Sequence, residues 1–130
     1  MADSFDIVDI VYTAVAAAVS GFTIDKDNSK TGQEGNHIVI NTTGTNSKDY
    51  VNKAPAVNIN VFIPEYDNGK TNRQLMKTTV RLIENAVREN LSPPAGMYLD
   101  TKIAWTIPLY EAKDGFDCIN IKLEVITELN

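Results

Sequence analysis

Cysteine, histidine and basic charge are scarce in this chain, and each scarcity removes a class of function. One cysteine, Cys118, stands among 130 residues, so no internal disulfide forms and a reducing compartment is favoured. One histidine, His37, means that any Ser–His–Asp or Cys–His constellation would have to be built around a single ring. A lone histidine at a strand start is more often structural or superficial. Neither residue has metal-ligand spacing to another candidate, and both are read as non-catalytic. Lysine and arginine number 12 against 17 aspartates and glutamates, a net charge of −5, and they are scattered between Lys26 and Lys122. A sequence-independent grip on a phosphate backbone needs basic residues gathered on one face, so a general DNA-binding role is not expected, and no sequence-specific nucleic-acid partner is assigned.

Long apolar runs are also missing. Ile10 to Val19 is too short to span a bilayer. Ala17-Ala18-Val19-Ser20-Gly21 superficially resembles a signal-peptidase site. The residues before it carry Asp3, Asp6 and Asp9 where a secretory n-region would be basic. The expectation is a cytoplasmic protein with a buried first helix and no membrane partner. The sequons at Asn41 and Asn90 are then chance matches. With 43% apolar and 22% charged residues, the composition is that of an ordinary globular protein. A chain of this length buries about two-thirds of the surface its unfolded form exposes. One domain over residues 1–130 is expected, with no need of a cofactor or structural metal.

What is present is periodicity. Val57, Ile59, Val61 and Ile63 alternate with Asn58 and Asn60, a period of two that marks a strand with one buried face. Pro64 stops it and Asn68-Gly69 turns it. Thr71 and Gln74 have the spacing of a capping box, so a helix is expected from near Asn72 to Glu89. Its buried side is Leu75, Met76, Val80, Leu82, Ile83, Ala86 and Val87; Lys77, Arg81, Glu84 and Arg88 line the opposite face. Glu84 and Arg88 are placed to pair across one helical turn. Pro93-Pro94 ends the helix.

An earlier helix, Ser4 to Val19, has a narrow polar stripe of Asp6, Asp9 and Thr13 and is apolar elsewhere, so it needs cover on more than one side. Gly21 is a natural stop for it. His37 to Ile40 reads as a short strand, and two further strands, Ile103 to Leu109 and Ile119 to Ile126, flank a turn at Asp114-Gly115. Ile103, Trp105, Ile107 and Leu109 are expected on one face, as are Ile119, Ile121, Leu123 and Val125. Residues 23–36 and 41–54 read as long polar loops, the second a candidate to order on assembly. The expected fold class is α+β, a two-layer sandwich of an antiparallel sheet with both helices on one face, in the order α-β-β-α-β-β.

Three stretches carry a trace of chemistry. Gly69-Lys70-Thr71 sits where a phosphate-binding loop would, but that loop needs a glycine at position 64, where Pro64 has no N–H to offer. A turn and helix cap is the preferred reading. Asp100 with Glu111-Ala112-Lys113 loosely matches a metal-dependent nuclease pattern, two carboxylates on a divalent metal and a lysine on the attacking water. The charged pair near a hairpin tip is read instead as a solubility feature. A monomeric α+β binding module with a groove between sheet and helices is the other alternative. No catalytic, cofactor-binding or metal residue is assigned.

The segment from Val57 to Pro64, then Asn68-Gly69 and the helix from Asn72 to Glu89, resembles the small tail-completion proteins of long-tailed phages. Those include tail terminators and minor head–tail joining proteins. Their strand ends in an aromatic-aliphatic-Pro step and leads into an amphipathic helix. Two strands joined by a polar hairpin follow, as here from Tyr98 to Glu128. Glu34 to Asn41 looks like the first strand of the same sheet.

The resemblance implies a non-enzymatic virion component, cytoplasmic during assembly, found in a phage or prophage. Its subunits would form a ring, commonly a hexamer, that caps the tail tube and docks the head connector proteins. Heterologous contacts that close generate such rings. Asp6, Asp9, Lys77, Arg81, Glu84 and Arg88 are then the candidate subunit-interface residues.

Overall fold

The computed structural model describes residues 4–27, 35–42, 46–48, 51–66, 72–89, 91, 99–109 and 113–128. Within them the elements are α1 (Ser4–Ala18), β1 (Thr23–Lys26), β2 (His37–Thr42), β3 (Asn46–Lys48), β4 (Val51–Pro64), α2 (Arg73–Glu89), β5 (Leu99–Pro108) and β6 (Phe116–Glu128). The fold is α+β. One sheet pairs in the order β1-β2-β4-β6-β5, with β3 joined to β4 off that path.

Two features correct the expected order and the purely antiparallel sheet. Thr23 to Lys26, read as loop, is a strand lying parallel to β2, which makes the sheet mixed. Its Ile24 packs against the core, and Asp27, at φ 69°, ends it in the left-handed region. The expected loop over 41–54 contains β3 and the first part of a β4 that is longer than its alternating run. The pairing of β4 with β6 slips between Ala54 and Val57, around Pro55. A proline in a strand interior donates no ladder hydrogen bond, so it is accommodated at such an irregularity.

The core lies between one sheet face and both helices. Ile38 and Ile40, then Val57, Ile59, Val61 and Ile63, then Ile121, Leu123 and Val125 point to that face, against Ile7, Val8, Val11 and Val15 of α1 and Met76, Ile83 and Val87 of α2. Sheet and second helix thus supply the cover that α1 requires, leaving Asp6, Asp9, Thr13, Ala16 and Ala17 exposed. Gly21, at φ 78°, turns the chain after α1.

Helix α2 starts where expected but is capped differently: Asn72 Oδ1 accepts from the Leu75 N–H at 3.3 Å. Thr71, with the Asn68-Gly69 turn, lies outside the described residues, as does Pro93-Pro94. The buried side of α2 includes Thr79, and Leu82 is exposed instead of buried. Position 82 lies about 100° around the helix from Ile83, which takes it off the stripe of 76, 79, 83, 86 and 87.

The expected common face of β5 is split. The register places Ile103 opposite Leu123 but Trp105 opposite Lys122, so Ala104 is an extra residue in β5. Every side chain beyond it changes sides. Thr106 turns toward α2, while Trp105 and Ile107 lie on the sheet face away from the helices. The turn between β5 and β6 contains Asp114 and Gly115, the latter at φ 77°, as the sequence indicates.

Candidate functional site

Arg73, Lys77, Arg81, Glu84 and Arg88 recur at three- and four-residue spacing, which stacks them along one side of α2. That side overhangs the β5 edge of the sheet. Glu84 Oε2 accepts a hydrogen bond from Thr106 Oγ1 at 3.0 Å, in place of the expected ion pair with Arg88. Between α2 and the β5–β6 hairpin runs a groove of about 1050 Å³. Its helix wall holds Arg73, Lys77, Arg81 and Glu84; Pro108, Leu109, Asp117 and Ile119 belong to the sheet wall. Asp117 Oδ2 is out of solvent there with no hydrogen-bond partner among the described residues. Arg88 is exposed at the last turn of the helix and does not line the groove.

Asp6 and Asp9 sit at the other edge. Asp9 Oδ1 forms an ion pair with Lys26 Nζ of β1 at 2.7 Å, and this partner holds the Lys26 ammonium above its ordinary pKa. Lys26 Nζ also lies 4.8 Å from the Tyr12 ring centroid. Thr13 Oγ1 donates to the Asp9 carbonyl at 3.0 Å. The polar stripe of α1 is thereby turned over β1. The six sequence-selected interface residues fall into two groups, over opposite edges of one sheet.

The face away from the helices holds what the sequence reading missed. Asn41, Asn58, Asn60 and Asn120 meet there across three strands. Asn58 Nδ2 donates to Asn41 Oδ1 at 3.1 Å; Asn120 Nδ2 donates to Asn60 Oδ1 at 2.8 Å and to Asn58 Oδ1 at 3.3 Å. Trp105 Nε1 completes the ladder by donating to Asn120 Oδ1 at 2.8 Å, under Lys122 Nζ at 4.1 Å from the ring centroid. The signal available was the repetition of asparagine at outward strand positions, but register alone decides whether such amides meet. Trp105 and Ile107 form an exposed apolar pair along β5, at 44% and 40% exposure, and Leu109, 37% exposed, follows just past the strand's end.

His37 is fully buried on the same face. Its ring stacks on Phe62 at 4.7 Å and meets the edge of Phe116 at 5.2 Å. Nδ1 lies 2.7 Å from the Gly35 carbonyl, which can only accept, so Nδ1 carries the proton. Nε2 is then free to accept from Lys113 Nζ at 3.4 Å. Burial holds the pKa of His37 below its ordinary value, Lys113 adds to that, and the Gly35 carbonyl and Asp25 oppose it. The imidazole therefore ties the hairpin turn to β2 in its neutral form. Cys118, opposite Phe62, is buried, and burial pushes its thiol up to about 12, leaving little thiolate to react.

The nuclease pattern is not assembled. Asp100 lies near the start of β5 and Lys113 in the turn beyond its end, so about eight strand residues, ~26 Å, separate the two. Glu111 lies outside the described residues, as does the phosphate-loop candidate Gly69-Lys70-Thr71. Among the described residues, no group of three or more His, Cys, Asp or Glu is placed to hold a metal ion. No helix among them is long and apolar enough to cross a membrane. No protein-family model matches the chain, and no curated protein sequence matches it.

Proposed function

We propose that this chain is a structural subunit of a phage or prophage particle, one that completes the tail tube and joins it to the head connector as a homo-oligomeric ring. It acts through shape and edge complementarity, without catalysis. Its contacts run through Asp6 and Asp9 on α1 and through Lys77, Arg81, Glu84 and Arg88 on α2.

The observation that carries this reading is the β5 edge. Trp105 and Ile107 exposed along an edge strand, with Leu109 exposed just past its end, make a surface that natural monomers cover or charge. A partner seated along it removes that liability. The resemblance of the strand–turn–helix segment to tail-completion proteins supplies the kind of assembly.

Light scattering coupled to size exclusion, with negative-stain images of any large species, tests the reading. The expected result is a closed ring of identical subunits. A monomer at every concentration overturns it. The groove between α2 and the hairpin favours one other reading, a monomeric binding module, because its volume is of small-ligand size. A monomer whose melting temperature rises with a groove-filling ligand would establish that alternative.

A further inference from the structure

The two edges of the sheet carry opposite charge. Over β1, α1 turns Asp6 and Asp9 outward, and the exposed Asp27 at the strand's exit joins them against Lys26. Over β5, α2 turns Arg73, Lys77, Arg81 and Arg88 outward, with Glu84 held by Thr106. Both helices lie on one face, so a second copy set edge to edge brings α1 of one beside α2 of the other.

Strand directions agree with such a joint. β1 runs with β2, β2 against β4, β4 against β6 and β6 against β5. β1 and β5 therefore point in opposite senses. A copy rotated about an axis along the strands offers its β1 to the first copy's β5 in the antiparallel sense, the more stable ladder.

Resting on the ring reading above, we propose that the subunit contact is heterologous: the acidic α1–β1 edge of one copy pairs with the basic α2–β5 edge of the next. The same edges meeting across a two-fold axis would set arginine stripe against arginine stripe, or aspartate against aspartate, and like charges opposed in this way repel. Unlike edges attract, and a head-to-tail contact that repeats closes into a ring. β1 has only four residues, so its ladder is short. The α1–α2 contact must supply most of the remaining area a stable interface needs. Asp9 is available for exchange, because its pair with Lys26 is solvent-exposed.

Charge reversal tests the pairing. Asp6→Lys/Asp9→Lys makes the first edge basic, and Lys77→Glu/Arg81→Glu makes the second edge acidic. Each variant alone is expected to run as a monomer under conditions where the wild type forms rings. An equimolar mixture is expected to regain the ring mass, because the reversed first edge of one variant then faces the reversed second edge of the other, the two intact edges face each other, and both contacts join opposite signs. Recovery in the mixture also shows that both variants fold.

Rings that persist in either variant alone, or a mixture that stays monomeric, overturn the edge pairing while wild-type rings leave the ring reading standing. Restoration that stops at a dimer overturns head-to-tail closure. A wild type that is monomeric at every concentration overturns both. If thermal melts show either variant unfolded, Lys77→Ala/Arg81→Ala replaces the reversal. Its ring should dissociate at a concentration about tenfold higher than the wild-type ring, and an unchanged midpoint rejects the pairing.

Discussion

On the helix-covered side of the sheet, Ile59 and Ile121 face each other in an apolar layer made mostly of aliphatic side chains. One residue further along the same strands, Asn60 and Asn120 face each other in an amide ladder. The first side is held by removal of apolar area from water, which is non-directional and tolerates small shifts. The second is held by directed hydrogen bonds that work only when the amides meet at the right register. Each side therefore enforces the other, since a one-residue slip would send Ile59 to the polar side and Asn60 into the core.

Substitutions on the two faces separate these roles. Ile59→Ala removes a fully buried side chain from the aliphatic layer and is expected to cost about 2–5 kcal/mol in urea unfolding. Asn120→Ala leaves Asn58, Asn60 and Trp105 each short of one partner, for an expected loss of about 1–3 kcal/mol. A loss at position 120 larger than that at 59 would mean that the amide ladder, and not the aliphatic layer, dominates stability.

A third comparison uses pH. Since the folded state holds His37 below its ordinary pKa, the unfolded chain binds the extra proton first. The contribution of neutral His37 is complete above the unfolded value of about 6.5 and is lost as pH falls through the lower folded value. Wild-type stability should therefore drop on going from neutral to mildly acidic pH, measured by melts in matched buffers. In His37→Phe, which keeps an aromatic ring against Phe62, that part of the slope should vanish. An unchanged slope would assign the acid sensitivity to the carboxylates. The smallest effect is expected at the exposed pair: Ile107→Ser should shift monomer stability by no more than about 0.5 kcal/mol. In the assembly reading it weakens association far more than folding, and a concentration series by light scattering reads the two apart.

Much of the fold was legible because it is written in local periodicity. The alternation at 57–63 and 119–125 marked the core-facing strand positions, and the run from Asn72 to Glu89 contained α2. Three features escaped for physical reasons. β1 is four residues long, too short for alternation to stand out, and its place in the sheet depends on β2, eleven residues on in sequence. The β3–β4 hairpin is polar, so it carries no buried-face pattern. The irregularity at Ala104 arises from pairing with β6, which local sequence does not encode.

Of the candidate site, the charged stripes of α1 and α2 were visible as exposed faces. Their separation over opposite edges was not, because it depends on which strand each helix covers. The Asn ladder and the His37 box were missed for a related reason: no spacing rule within a segment links Asn41 to Asn58 or His37 to Lys113.

Sequence alone determined the α+β class, the two helices and the apolar faces of the strands β4 and β6, since side-chain periodicity is a property of a few neighbouring residues. Only the tertiary structure decided the mixed sheet, the turning of Trp105 and Ile107 to the open face, and the opposite charge of the two edges. Those depend on register and strand order, which are settled when distant segments pair and one burial pattern must satisfy all of them together.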